Sequence, residues 1–308
     1  MSKEYLNLPF QKAMFPPHCE ICGNKATTKC EICRVTHYCS QDHKIIDSIS
    51  FHKKVCKKLA DIRSEHPIPF QRRTELQMRK LYCKASKMFL KLAETVSKKW
   101  LLERKAINAY PSAMIAWNMS REMRSEDSSE VIYPTCLVSE MFLRLGDISA
   151  AEQYMVQASW ISQKYDVLPH SILSKLYRIR GLVFMELKNW EQARTAFAEF
   201  AYAVASEYGI ANVRLGIPYG LLGLSLLKFD NIDGATANFH KMADKWLDNL
   251  LSQYEVTIMR AATETEMAAD EEIQDLEFQF MEAKIVFELM YEMVRNLEMN
   301  KVTDLINF

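Results

Sequence analysis

The stretch from Cys19 to Cys56, CEICGNKATTKCEICRVTHYCSQDHKIIDSISFHKKVC, decides how the amino-terminal part of this chain folds. It holds eight soft or borderline metal ligands in four pairs: Cys19-x2-Cys22, Cys30-x2-Cys33, Cys39-x3-His43 and His52-x3-Cys56. Two thiolates separated by two residues can grip one ion, because the short turn aims both sulfurs the same way. Eight ligands suffice for two tetrahedral Zn²⁺ ions of the Cys3His type, each closed by protein atoms. A closed site has no open position for water, so the expected zincs are structural. The apolar content between Pro16 and Lys58 is too small for an independent core. Metal binding must then supply most of the local folding free energy, on the order of 10 kcal/mol per site. A short helix is expected over 45–58, holding His52 and Cys56 one turn apart on one face. His18 and His37 adjoin the ligands and are read as bystanders, since all eight positions are filled.

Outward from this cluster the composition narrows the class. Glycine (8) and proline (9) are scarce in 308 residues, which disfavours β-hairpins and favours an all-α body. Cys83 and Cys136, the two cysteines outside the cluster, fall in helical stretches and read as buried thiols, in keeping with a reducing compartment. Residues 1–18 lack an apolar core beside a basic start, so no secretory signal is expected. No apolar run approaches ~20 residues, so no membrane span is expected. The net charge is zero, but its distribution is polar. Residues 1–60 carry 10 Lys/Arg against 5 Asp/Glu, residues 61–125 carry 14 against 6, and residues 126–308 carry 15 against 28. Such asymmetry suits a molecule lying between differently charged neighbours.

A repeat governs the rest. Ala109, Ala151, Ala193 and Ala235 recur every 42 residues, as do Trp100, Phe142, Phe184 and Leu226. Ser97, Ser139, Gly181 and Gly223 keep the same step, and Phe197 pairs with Phe239. A fixed period of this size without β signals predicts stacked helical hairpins. Their turns are Leu145-Gly146-Asp147, Leu187-Lys188-Asn189 and Phe229-Asp230-Asn231. Pro134, Pro169 and Pro218 mark the starts of the first helices, and Gly209 reads as a left-handed C-cap. Gly181 and Gly223 are expected to face Ala193 and Ala235 where two backbones approach. Four units are expected, at 88–129, 131–169, 173–214 and 216–256.

Before the repeats, residues 71–97 read as an amphipathic helix. Lys80, Lys84, Lys87, Lys91 and Lys98 form one stripe, and Leu81, Ala85, Met88 and Leu92 another. The lysine stripe is a solvated face, or a contact for an acidic surface such as tubulin tails. After the repeats, Glu264–Glu272 reads as a solvated junction. Asp270 can cap a last helix to Asn300, with Leu276, Phe280, Ala283, Phe287, Met290, Val294 and Leu297 as its stripe. The expected organisation is an extension at 1–14, the zinc module at 15–60, and a linker with the basic helix at 61–87. The repeats then fill 88–256 and capping helices 257–308.

Two resemblances add to this reading. The four ligand pairs with His37-Tyr38-Cys39-Ser40 resemble a MYND zinc finger. That resemblance implies a cross-brace, with one ion on Cys19, Cys22, Cys39 and His43 and the other on Cys30, Cys33, His52 and Cys56. His43 departs from the more usual cysteine. Lys44 and Asp47-Ser48 stand where the family carries glutamine and an Asp-Trp pair that help hold proline-rich peptides, so ordinary peptide capture is not expected. The motif Gly181-x2-Phe184-x8-Ala193-x3-Phe197 resembles tetratricopeptide repeats with longer helices, which implies an all-α solenoid. Together, finger and repeats resemble a family of axonemal proteins that join the two. The supporting stretches are Asp47-Ser48-Ile49, Ala151-Glu152-Gln153-Tyr154 and Lys188-Asn189-Trp190-Glu191-Gln192-Ala193-Arg194.

The resemblance implies a non-enzymatic scaffold of the ciliary or flagellar axoneme, in the cytoplasm and cytoskeleton, supporting motility. Its implied partners are the heavy chain of a single-headed inner dynein arm and a second tetratricopeptide protein. A cytosolic adaptor for dynein assembly or for chaperones is the alternative. Against chaperone clamping, the stretches 90–104, 132–145, 174–187 and 216–229 contain no asparagine. A MYND-containing methyltransferase is disfavoured, because no Asn-His pair of the SET type occurs. Nucleic-acid binding is not expected, since the basic third lacks interleaved surface aromatics.

Overall fold

The computed structural model describes residues 18–63, 75–210 and 212–247, with isolated helical positions at Glu277, Met281, Lys284 and Glu288. The extension at 1–14, the linker, the side chains of Lys80, Leu81, Cys83 and Ala85, the Glu264–Glu272 junction and the cap and stripe of the last helix lie outside the described residues. The chain forms two compact units, Met1–Asp166 and Val167–Phe308.

Among the described residues of the first unit is a two-stranded antiparallel hairpin, β1 (Thr28–Lys29) and β2 (His37–Tyr38), in the register Thr28↔Tyr38 and Lys29↔His37. Three helical segments follow without a break: α1 (Gln41–Asp47), a π-turn (Ser48–His52) and α2 (Lys53–Arg63). The helix expected at 45–58 therefore starts four residues earlier. Ser40 sets that start by capping α1, its hydroxyl accepting the His43 N–H. Next come α3 (Glu75–Leu102) and α4 (Ala106–Met123), then α5 (Ile132–Leu145) and α6 (Ile148–Ser162). The expected boundary at 87/88 falls inside α3. The basic helix and the first helix of the first repeat are one helix.

The second unit holds α7 (His170–Glu186) with α8 (Trp190–Tyr208) and α9 (Gly216–Leu227) with α10 (Ile232–Leu247). Phe197, Phe200, Leu215, Leu221, Leu224 and Met242 form its core. Pro134 and Pro218 sit third in α5 and α9, and Pro169 is the N-cap of α7, as expected. Gly209 ends α8 with a positive φ of 86°, but its ψ of 158° makes it extended rather than helical. Among the described residues no helix is long and apolar enough to cross a membrane.

The 42-residue step is a structural period of the turns. Arg104, Gly146, Lys188 and Asp230, spaced by that step, all adopt left-handed backbone, with φ of 58°, 83°, 58° and 55°. The next residue in each case, Lys105, Asp147, Asn189 or Asn231, donates its N–H five residues back. The acceptors are the carbonyls of Trp100, Phe142, Phe184 and Leu226, at 2.9, 3.0, 2.9 and 3.3 Å. This is a Schellman closure of one helix. The same residue caps the next helix. Asp147, Asn189 and Asn231 accept the N–H groups of Ala150, Gln192 and Gly234 at 3.0, 3.4 and 2.9 Å. Lys105 has no acceptor, which is why the first turn was not legible in the sequence.

The inter-helix contact extends beyond the expected alanines. A Cβ on Gly181 would lie 2.2 Å from the Phe197 ring, and one on Gly223 would lie 2.6 Å from the Phe239 ring. The glycines thus face the phenylalanines four residues beyond the expected alanines. Helical side chains lean toward the N-terminus and cover the preceding turn, so the ring rather than the alanine fills the gap. In the second hairpin the same small position is Ser139, whose hydroxyl donates to the Ala151 carbonyl at 2.7 Å. The position matching Phe197 is there the buried Met155.

Candidate metal centre

Two turns build the centre. Gly23 N–H donates to the Cys19 carbonyl at 2.9 Å, and Arg34 N–H to the Cys30 carbonyl at 3.0 Å. Gly23 and Arg34 both take positive φ, 71° and 61°, which folds each Cys-x2-Cys pair into a knuckle. Neighbouring backbone amides of Cys22, Cys39 and Ile21 hold the Cys19 thiol down at about 7 despite its burial, whereas burial outweighs the Asn24 amide and pushes Cys22 up to about 11. Such donors favour thiolates. The β-hairpin then carries the chain from one knuckle toward Cys39, and the helical run places His43, His52 and Cys56.

All eight predicted ligands come together, in two sets. Cys19, Cys22, Cys39 and His43 form one, and Cys30, Cys33, His52 and Cys56 the other, with the donor atoms of each within 4.8 Å of one another. This is the interleaved pairing that the resemblance implies. In the first set Cys22 and Cys39 sulfurs are 3.5 Å apart, and His43 Nδ1 lies 3.4 Å from Cys19 Sγ and 3.3 Å from Cys39 Sγ. In the second, Cys30 and Cys56 sulfurs are 3.8 Å apart, and His52 Nε2 lies 3.2 Å from Cys30 Sγ and 3.6 Å from Cys33 Sγ. Tetrahedral zinc with ordinary Zn–S and Zn–N bonds requires edges of about 3.8 Å and about 3.6 Å. The donor sets fit.

The electrostatics of the second set pull in two directions: burial and the neighbouring sulfurs of Cys30 and Cys33 push the Cys56 thiol up to about 12, while Cys33 and His52 shift toward their charged forms. Burial raises the Cys33 thiol, but hydrogen bonds from His52, Thr36 and Val35 outweigh it and hold the group at about 5. Burial disfavours a charged His52, but Cys33, Cys30 and Asp47 outweigh it and carry the ring to about 9. Zinc, when bound, would supply the positive charge that these sulfurs attract and would take the His52 ring as a neutral ligand.

The ring's other nitrogen has a partner that sequence reasoning missed. His52 Nδ1 lies 3.9 Å from Asp47 Oδ2, and Tyr38 donates its hydroxyl to that same oxygen at 2.8 Å. Tyr38, Asp47 and His52 are all buried. Residues five apart lie about 140° apart around an α-helix. The π-turn, with its i→i+5 hydrogen bonds, brings Asp47 into line with His52. Burial pushes the Asp47 carboxyl up to about 6, against the Tyr38 hydroxyl and the His52 ring, which favour its ionised form. The arrangement orients a zinc-ligating imidazole through its outer nitrogen. Asp47→Asn should therefore weaken zinc at the second site by about 10–100-fold. Competition with a chromophoric chelator checks this, and release of the first ion should be unchanged.

His18 and His37 stay outside both ligand sets. His18 bridges Lys25, and the His37 carbonyl accepts the Glu20 N–H at 2.9 Å. Cys136 is buried in α5, as expected.

The finger shares its core with the first hairpins. Cys19, Ile21, Cys30, Cys33, Tyr38 and Cys56 pack in one cluster with Leu101, Ala113, Met114 and Met141. Phe51, Val55 and Leu59 pack with Phe89, Ala93, Val96 and Ile115. Polar contacts join the same parts: Trp100 Nε1 donates to the Ser50 carbonyl and Asn118 Nδ2 to the Ile21 carbonyl, each at 3.5 Å. Rings continue from the ligand His43 through Tyr110 and Phe142 to Tyr154, with centroid separations of 6.1, 6.3 and 5.5 Å.

The site is thus a closed, cross-braced, two-zinc finger. The family model for the MYND finger matches residues 19–56. The segment is a MYND zinc finger, a protein-interaction module, and its ligands fit two structural zinc ions.

Proposed function

We propose that this protein is a non-enzymatic scaffold of the ciliary or flagellar axoneme. In this reading it supports attachment or regulation of a single-headed inner dynein arm, together with a second tetratricopeptide protein. The hairpins are read as tetratricopeptide-like repeats with long helices. The observation that carries the proposal is the joining of a MYND finger, through a shared core, to helical hairpins whose turns keep one 42-residue register. Rigid repeats present broad side-chain surfaces, which suits binding rather than chemistry. Zinc ions held by four protein ligands each have no position left for a reacting water. The resemblance to axonemal finger-plus-repeat proteins supplies the location.

Fractionation tests the reading. The protein should remain with axonemes after detergent extraction, and its loss should remove one inner-arm density and impair motility. Recovery wholly in the soluble or nuclear fraction would sink the proposal.

A further inference from the structure

One face of the finger carries a cleft of about 480 Å³ between the second knuckle and the helical run that follows. Glu31, Ile32, Lys44, Ser48 and the lysines Lys53, Lys54, Lys57 and Lys58 line it, with Cys30, His52 and Cys56 of the second zinc site behind them. Ile32, at the tip of the knuckle, is 76% exposed, and Ile49, on the π-turn, is 61% exposed. Ile32, which lines the cleft, thus keeps most of a large aliphatic side chain in solvent.

The charge is lopsided. Lys44 is paired with Glu31 at 3.0 Å. Lys53, Lys54, Lys57 and Lys58 are exposed and have no ion pair among the described residues. A zinc held by three thiolates and one imidazole carries one net negative charge, so the cleft keeps an excess of about three positive charges at neutral pH. Helix α2 holds Lys53 above Lys57 and Lys54 above Lys58, each pair one turn apart. Lysine is a flexible point charge suited to carboxylates along a peptide. No arginine and no exposed aromatic ring lines the cleft, and Tyr38 is fully buried, so bases have nothing to stack on.

We propose that this cleft is a docking site for an acidic protein segment that places an aliphatic side chain against Ile32 and its carboxylates against the lysines of α2. The proposal rests on the scaffold reading, of which it names the partner chemistry at the finger. It also replaces the peptide capture expected of a MYND finger. Ser48 stands in the cleft where that family's tryptophan would be, and the recognition is electrostatic instead.

The test uses the full-length zinc-loaded chain and a short fluorescein-labelled peptide of alternating glutamate and leucine, read by fluorescence anisotropy. Binding should weaken as salt rises. It should fall at least tenfold in the Lys53→Glu/Lys57→Glu variant and severalfold in Ile32→Ala, with two zinc ions retained by native mass spectrometry. Lys53→Gln/Lys57→Gln, which leaves no new charge beside the zinc, should show an intermediate loss. Equal binding to wild type and the zinc-loaded glutamine variant overturns the proposal. So does a preference for a single-stranded oligonucleotide, or failure of the peptide to bind at all. If the peptide fails while the chain still fractionates with axonemes, the cleft assignment falls and the scaffold reading stands.

Discussion

Cys30→Ser should cost the protein one zinc ion and much of the order of its first helical hairpin. Cys30 is a buried ligand of the second site, with its sulfur 3.2 Å from His52 Nε2 and 3.8 Å from Cys56 Sγ. Losing that ion forfeits on the order of 10 kcal/mol of local folding free energy. That is comparable to the whole stability of an ordinary domain, about 5–15 kcal/mol. The unfolding should not stop at the finger, because its ligands pack in the same core as Leu101, Met114 and Met141. Native mass spectrometry should count one zinc in place of two. Hydrogen exchange in Ala106–Met123 should rise with that in Gln41–Arg63. Cys136→Ser is the matched comparison: it also alters a buried thiol but should keep both ions. Two zincs retained in Cys30→Ser, or an α4 whose exchange does not change, would defeat the ligand assignment or the shared core respectively.

The second large effect lies in the other unit. Gly181→Ala should destabilise by about 3 kcal/mol, despite the ~1 kcal/mol that alanine gains in helix propensity. The added Cβ would fall 2.2, 2.5 and 2.7 Å from three carbons of the Phe197 ring. That ring is fully buried, so α7 and α8 must separate or the ring must leave its rotamer. Gly223→Ala should cost less, because its nearest contacts are longer and Phe239 is only partly buried. Gly146→Ala meets no atom within 4 Å and should cost only the strain of a positive φ, about 1 kcal/mol. Denaturant midpoints should follow that order. Adding Phe197→Met to Gly181→Ala should recover part of the loss, since the second hairpin pairs Ser139 with Met155 at these positions. A Gly181→Ala protein within ~0.5 kcal/mol of wild type would show that the helices can part without cost.

How legible was this molecule? The metal centre was legible to the ligand. A thiolate two residues from another is held near it by covalent geometry, so Cys19, Cys22, Cys30 and Cys33 announce themselves. The turns at Gly146, Lys188 and Asp230 were visible for a similar reason: an αL residue followed by Asp or Asn ends one helix and starts the next within a few residues. The turn at Arg104 and Lys105 follows the same backbone path and was missed, because neither side chain carries that chemistry. In the sequence Asp47 shows only as the remnant of a family pattern. A signal was there, in a lone acid among Ile45, Ile46 and Ile49 just ahead of a ligand. Its use depends on the π-turn, which shifts helical phase and has no short sequence signature.

The sequence by itself determined the eight ligands, their closed chemistry and the 42-residue recurrence of the helical turns. Each of these is local, set by spacing along the chain and by the φ/ψ and capping preferences of a few neighbours. Only the tertiary structure decided that the finger shares its core with the first hairpins, that Asp47 and Tyr38 support His52, and that a phenylalanine fills the glycine notch. Those outcomes depend on which helix faces meet and on which way a side chain leans once they do. Residues as far apart as Cys30 and Met141 acquire a relation only when their burial is shared.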